Sequence, residues 1–297
     1  MHGWLILDKP VGLGSTQAVS AVKRALRQGG YPKLKVGHGG TLDPLASGVL
    51  PVAIGEATKL AGRLLDGDKA YAFTIRFGEE TSTLDAEGEV VATSDARPMP
   101  AELEAVFPRF SGPILQAPPA YSALKVDGKR AYDLARAGEE VALAERTVTV
   151  HSLLLEAHES GGPLQEATLV AYVSKGTYIR SLARDIARAL GTVGHVTMLR
   201  RTKAGPFDLA HAISLDKLAE LGHGRALEHA LLPLRAGLDD IPALALSPDQ
   251  AGALRQGRVL AGIAAADGAT FATFQDVPVA LCEVEAGVVR VVRGFNL

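Results

Sequence analysis

Residues 70–77, AYAFTIRF, alternate without interruption: Tyr71, Phe73, Ile75 and Phe77 project to one side, Ala72, Thr74 and Arg76 to the other. A period of two is the mark of a half-buried strand, because successive side chains leave a strand on opposite faces. Such a strand has to sit in a sheet with one face covered. Covering helices are legible elsewhere. Ser15 or Thr16 is placed to cap a helix that puts Ala18, Val22, Ala25 and Leu26 on one face and stops at Gly29-Gly30. Ile179, Leu182, Ile186 and Leu190 follow helical spacing, with Arg180, Arg184 and Arg188 as a stripe beside them. A third, short helix is expected from Lys129 to Ala137, ended by Gly138.

Further strands are expected at Trp4–Leu7, which ends in the turn Asp8-Lys9-Pro10, at 147–157, at 167–174 and at Val196–Arg201. Residues 37–48 read as a glycine-rich loop, and residues 95–119 as a proline-rich connection around a short helix. Strands and helices alternate irregularly, with antiparallel-looking hairpins. That pattern favours an α+β fold over a doubly wound parallel sheet. The composition shifts near residue 240. Ser247-Pro248-Asp249-Gln250 is a capping box with proline at the first helical position, and Val277–Val284 and Val288–Val292 read as strands. A small, mostly-β module of about 55 residues is expected there, marginal alone and so docked on the first domain.

Composition removes several classes of function. Of the 297 residues, 47% are hydrophobic and 22% charged, so the chain is not of disordered type. Its lone cysteine, Cys282, closes no intramolecular disulfide and leaves no cysteine cluster for zinc. No apolar run reaches the roughly 18 residues of a membrane span, and MHGWLILDKP lacks the basic start of a signal peptide. A cytoplasmic protein with no membrane partner is the expectation. A formal charge of −2 argues against a generic nucleic-acid coat protein. The charge is nevertheless segregated. Residues 174–205 hold Lys175, Arg180, Arg184, Arg188, Arg200, Arg201 and Lys203 against Asp185 alone, while residues 79–108 hold eight acids against Arg97. This fits either one polyanion-binding face or two solvated surfaces.

Two stretches carry candidate chemistry. His38-Gly39-Gly40-Thr41-Leu42-Asp43-Pro44 places an imidazole and a carboxylate five residues apart in a loop whose glycines permit close approach to a ligand. The same residues also suit Asp43 as the cap of a short helix with Pro44 at its first position. Ser174-Lys175-Gly176-Thr177-Tyr178-Ile179-Arg180 runs from strand to helix, where Lys175 and free amides suit an anion, or form an ordinary joint. Gly12-Leu13-Gly14 is not a dinucleotide fingerprint, since the third glycine would fall at Gln17. The eight histidines show no metal-ligand spacing, and no nucleotide fingerprint is complete. No metal and no organic cofactor are therefore expected.

GHGGTLDPLASGVLPVAIGEATKL at 37–60 closely resembles the catalytic motif of the TruB family of tRNA pseudouridine-55 synthases. LILDKPVGLGST at 5–16 resembles the family's N-terminal motif, and DKAYAFTIRFGEETSTLDAEGEV at 68–90 its tyrosine motif. PPAYSALKVDGKRAYDLARAGEEV at 118–141 resembles its RNA-gripping insertion, and SKGTYIRSLARDIARALG and HVTMLRRTKAGPF its two late motifs. These cover most of residues 3–207 in the family's order.

The resemblance implies a fold: a catalytic domain of pseudouridine-synthase type over 1–240, a mixed, largely antiparallel sheet with flanking helices. The RNA-gripping insertion falls at about 112–145, and 241–297 take the place of a small PUA-like RNA-binding module. It also implies a reaction. Uridine-55 in the T-loop of tRNA is flipped out and its C1′–N1 bond exchanged for C1′–C5, with a tRNA T-arm as partner and a monomeric enzyme. A few kcal/mol of unstacking has to be returned by stacking and phosphate contacts.

By resemblance, Asp43 is the catalytic aspartate, whether it attacks C1′, attacks the ring or takes a sugar proton; each route needs an ionised, positioned oxygen. Arg180 pairs with it, Tyr71 stacks on uracil and offers a hydroxyl near C5, and Tyr178 and Leu199 line the uridine pocket. His38 fills the gap left by the flipped base, and Lys9 braces the site. Gly39 stands where many members have threonine. Two rival readings remain: an RNA-binding or RNA-folding protein without catalysis, and a related synthase acting on another uridine.

Overall fold

The computed structural model describes residues 1–122, 124–126, 128–139, 143–158 and 162–297. The N-terminal apolar run forms β1 (Gly3–Lys9) and is buried on both sides. Leu5 and Leu7 join the core that holds α1 (Ser15–Gln28), while Trp4 and Ile6 enter a second cluster with Phe207 and Leu234. A strand buried on both faces reads as continuous rather than alternating hydrophobicity. β2 (Val36–His38) and β3 (Ser47–Ile54) flank an irregular loop at 39–46. α2 (Ala61–Asp66) then leads into β4 (Lys69–Phe77), the alternating segment, whose Phe73, Ile75 and Phe77 lie in the first core.

After β4 come a two-stranded ladder of β5 (Glu79–Thr81) and β6 (Val90–Thr93), then α3 (Pro100–Val106) and β7 (Gly112–Gln116). A short hairpin, β8 (Lys125–Val126) and β9 (Lys129–Arg130), precedes α4 (Ala131–Arg136). The insertion expected at about 112–145 thus includes 123, 127 and 140–142, which lie outside the described residues. β10 (Arg146–His158), β11 (Glu166–Val173), α5 (Ile179–Ala189), β12 (Gly194–Ala204) and β13 (Phe207–Asp208) follow. α6 (Leu215–His223) and β14 (Leu232–Pro233) close the large sheet.

That sheet has ten strands, in the order β14-β1-β3-β12-β4-β11-β10-β7, with β13 on β12 and β2 on β3. All its ladders are antiparallel except β3–β12. The α+β expectation holds, with a mixed, largely antiparallel sheet. The crossover of β12 between β3 and β4 positions the site. It sets Arg201 opposite both Gly48 and Tyr71, so the loop before β3 lies beside the start of β4. Gly48 takes φ +99°, and a Cβ there would stand 2.2 Å from the Arg201 carbonyl oxygen. Only glycine permits both the backbone angle and this approach.

Several expectations are corrected. The α1 N-cap is Gly14, whose N–H donates to Gln17 Oε1 (2.8 Å); neither Ser15 nor Thr16 caps it. The stretch 37–48 is strand at both ends, because Val36–His38 pairs with Val52–Ile54. No helix starts at Asp43, so the capping reading of that residue falls. β12 runs well beyond Val196–Arg201, through register shifts near Met198 and Arg201 that let it continue along β4.

The C-terminal segment has the capping box at Ser247, but four strands rather than two. β15 (Ala243–Ala245) precedes α7 (Pro248–Arg255), and β16 (Gly268–Phe274), β17 (Val277–Glu285) and β18 (Val288–Gly294) complete a sheet in sequence order. Phe271, Leu281 and Phe295 reach the cluster of Trp4 and Phe207, and Lys59 donates to the Gly294 carbonyl (2.8 Å).

Candidate active site

The loop 39–46 has no regular structure, yet almost every part of it is held. The Leu42 N–H donates to Ser15 Oγ (2.8 Å), and that hydroxyl donates back to the Leu42 carbonyl (2.9 Å). Ser15 therefore clasps the loop instead of capping its helix. Lys9, fully buried, donates from Nζ to the carbonyls of Pro10 (2.9 Å), Leu13 (2.6 Å) and Pro44 (3.3 Å). Burial pulls its amine down to about 8, against the opposing attraction of Asp43. Arg201, also buried, donates to the carbonyls of Val49 (2.8 Å), Thr41 (3.2 Å) and Gly40 (3.2 Å). These contacts go to backbone, so they fix the course of the loop whatever its side chains do.

Gly39 explains its own departure from threonine. A Cβ there would lie 2.7 Å from Leu64 Cδ1 and 2.9 Å from Leu64 Cβ, in the second core cluster. Gly39→Thr is expected to lower stability by roughly 1–3 kcal/mol, the usual cost of overpacking. The penalty shrinks in a Leu64→Ala background, and a double-mutant thermal-melt cycle measures the difference. Additive effects would show that Leu64 is not the obstacle.

Asp43 leaves this loop toward Arg180, the second residue of α5. Its carboxylate meets the guanidinium at 2.9 Å, and the same guanidinium meets Asp85 at 3.3 Å. Arg180 also donates to the carbonyls of Thr83 (2.8 Å) and Tyr121 (3.0 Å). The two acids differ in exposure: the Asp85 side chain is 4% exposed, that of Asp43 40%. Asp85 accepts further hydrogen bonds from the Thr83 hydroxyl and the Glu87 N–H, leaving Asp43 as the carboxylate open to a ligand. Burial and the neighbouring Asp85 and Asp43 raise the pKa of Glu87.

A cavity of about 370 Å³ opens in front of this pair. Asp43, Tyr71, Tyr178, Arg180 and Leu199 line it, five of the seven residues expected at the site. Tyr71 comes from β4 and Leu199 from the adjacent β12, so strand pairing puts them on one wall. Tyr178 is fixed by its backbone: its N–H donates to Gln116 Oε1 (2.7 Å), and its carbonyl accepts from Gln116 Nε2 (3.1 Å). The Arg146 guanidinium lies 5.1 Å from the centre of its ring. Lys9 stands behind the loop, and His38, at the end of β2, receives the Gly40 N–H at Nδ1 (3.4 Å); neither lines the cavity. Burial and Arg201 lower the His38 pKa, which favours the neutral ring.

Tyr71→Phe keeps the flat face and loses the hydroxyl. On the role that the resemblance implies for Tyr71, RNA affinity is expected to stay within about threefold, with the whole loss in kcat. Equilibrium binding and single-turnover rates separate the two, and a binding defect at normal kcat would mean that the ring does not meet the substrate.

Sequence reasoning missed Asp85, Gln116, Arg201's part in the loop, and Ser122, a buried residue lining the cavity whose Oγ has no partner among the described residues. The available signal for Asp85 was chemical: an arginine on the apolar side of a helix needs buried acceptors. The two segregated charge stretches are also corrected. Arg188 pairs with Glu80 (2.8 Å) and Arg180 with Asp85, so the basic and acidic stretches meet each other. Arg184 pairs with Asp185, Arg200 with Asp8 and Lys175 with Asp66, while Arg201 holds backbone. The Tyr178 N–H at the helix start is likewise engaged, by Gln116.

The model of the TruB family pseudouridylate synthase N-terminal domain matches residues 23–179, and that of the tRNA pseudouridylate synthase B C-terminal domain matches 180–239. The tRNA pseudouridine synthase B of Novosphingobium aromaticivorans is 66% identical over 100% of this chain and 98% of its own length. That of Zymomonas mobilis is 61% identical over 100% and 96%. Among solved structures, one from a Cbf5-Nop10-Gar1 complex superposes with a TM-score of 0.74 at 26% identity, covering 99% of this chain and 85% of that one. Sequence likeness over the whole length and likeness of fold agree, and the chain belongs to the TruB family of pseudouridylate synthases.

Proposed function

We propose that this tRNA pseudouridine synthase acts on uridine-55 of the T-loop, taking the flipped nucleotide into the cavity lined by Asp43, Tyr71, Tyr178 and Leu199. The observation that carries the reading is the Asp43–Arg180 pair at the mouth of that cavity, 2.9 Å between charged atoms and with only Asp43 well exposed. The reaction breaks C1′–N1, forms C1′–C5 and removes the proton from C5. Asp43 supplies a fixed carboxylate oxygen for attack on C1′, attack on the ring, or removal of a sugar proton. Holding it before the substrate arrives saves the ordering cost at the moment of reaction.

Arg180 aims Asp43, Tyr71 stacks on the uracil, Tyr178 and Leu199 close the pocket around it, and Lys9 braces the loop. His38 occupies the place of the flipped base in the RNA stack; it lies beyond Gly39 and Gly40, outside the pocket, as that task requires. One chain supplies every one of these residues, which supports a monomer, and a tRNA substrate supports a cytoplasmic location. Residues 1–240 form the catalytic domain and 241–297 a PUA-like RNA-binding module in this reading.

The test is tritium release from a preformed T-arm stem-loop labelled at C5 of its uridines, followed by carbodiimide primer extension to place the product. Release with a stop at position 55 supports the reading. Binding without release would favour the non-catalytic alternative, and a stop elsewhere a synthase for another uridine.

A further inference from the structure

Most of the basic stretch at 174–205 is internally paired, and a second group of cations lies in another part of the chain. Residues 15–42 contain Lys23, Arg24, Arg27, Lys33 and Lys35 and not one acid. All five are exposed. None takes part in an ion pair among the described residues. Lys23 and Arg27 lie four apart on α1 and so share a face, an arrangement that like charges mildly oppose. Together with Lys33 and Lys35 they line a groove of about 820 Å³ between α1 and residues 31–37.

The groove is built, not a loose run of surface charge. Leu26 contributes apolar lining, the Tyr31 N–H donates to the Leu26 carbonyl (3.0 Å), and the Tyr31 hydroxyl donates to Glu228, which holds the ring in place. The Lys35 carbonyl accepts from the Gly55 N–H (2.8 Å). The groove's last lining residues in this segment, Val36 and Gly37, run straight into His38 and the catalytic loop. Asp43 lies eight positions after Lys35, which limits their separation to about 29 Å at full extension. A flipped nucleotide held at Asp43 therefore leaves the groove within reach of the same RNA, whose backbone phosphates repeat along its whole length.

We propose that this groove seats the sugar-phosphate backbone of the substrate RNA away from the flipped uridine, with Lys23, Arg27, Lys33 and Lys35 contacting phosphates over an apolar floor. The inference rests on the tRNA reading given above. It assigns affinity to the α1 face and chemistry to the Asp43 cavity.

The experiment measures binding of preformed, full-length tRNA to the full chain at several salt concentrations, alongside single-turnover rates at saturating RNA. For Arg27→Gln/Lys33→Gln/Lys35→Gln the expected result is a Kd raised about 10- to 100-fold, with the slope of log K against log salt shallower by roughly 2–3, at about 0.7–0.9 per lost contact. The loss should fall on Kd and not on the saturated rate. The charge-preserving Arg27→Lys/Lys33→Arg/Lys35→Arg should keep the wild-type slope, which separates charge from local packing. Lys217→Gln, whose lysine is paired with Glu220 on α6, serves as the surface control. An unchanged Kd and slope in the glutamine triple, or equal losses in both triples, would overturn the proposal. Failure of the wild-type chain to turn over tRNA would instead overturn the uridine-55 reading, since the binding arm scores the groove without any turnover.

Discussion

Asp43→Asn is expected to abolish turnover, lowering the single-turnover rate by on the order of 10⁴-fold, while RNA affinity stays within about tenfold. The substitution is nearly isosteric and removes only the charge. The supports of the loop survive it: Ser15 holds the Leu42 backbone, Lys9 the Pro44 carbonyl, and Arg201 the Gly40 and Thr41 carbonyls. Arg180 stays in place through Asp85 and the Thr83 and Tyr121 carbonyls. The variant should therefore fold and bind as the parent does. Tritium release under single- and multiple-turnover conditions measures the loss, and measurable multiple turnover would falsify the assignment of Asp43.

Arg180→Lys is expected to lower kcat by at least about 10²-fold and stability by roughly 2–4 kcal/mol. A guanidinium presents five donors in a planar fork, whereas an ammonium is a point charge on one nitrogen. At this site the fork serves two carboxylates and two carbonyls from three parts of the chain. One nitrogen cannot occupy both ends of that span. Asp85 is almost fully buried and would lose much of its ionic partner, the situation in which breaking a buried pair is most costly. Asp85→Asn makes the complementary test: Arg180 keeps its other partners, so the loss should be smaller in both stability and rate. Thermal melts and single-turnover kinetics read the two effects. A near-normal kcat for Arg180→Lys in a folded protein would show that Arg180 does not position Asp43.

Much of the site was legible because its residues sit in ordered local motifs. Asp43, Tyr71, Tyr178, Arg180 and Leu199 each stand in a recognisable stretch, and all five line one cavity. What escaped was of another kind. Ser15 has the chemistry of a helix cap and lies at the start of a helix, yet its hydroxyl serves Leu42, 27 positions along the chain. Arg201 counted toward a basic stretch, yet it is buried and holds backbone carbonyls. Side-chain type and local spacing cannot distinguish a free cation from an engaged one, since the partner arrives through the fold. The five cations of residues 23–35 looked unremarkable in sequence and stand out only once most of those at 174–205 are seen to be paired.

Local pattern by itself determined the continuous apolar strand β1, the periodic elements β4 and α5, the absence of a membrane-length apolar run, and the residue types that carry the chemistry. These depend on steric and hydrophobic preferences that act over a few residues. Tertiary structure alone decided which of two carboxylates on Arg180 faces the cavity, how β12 enters between β3 and β4, and which charges cancel. Each of those outcomes depends on contacts between segments scores of residues apart, as when β12 brings Arg201 onto Gly48 and Tyr71. The free energy of such contacts comes from burial and pairing at distances that a one-dimensional pattern does not encode.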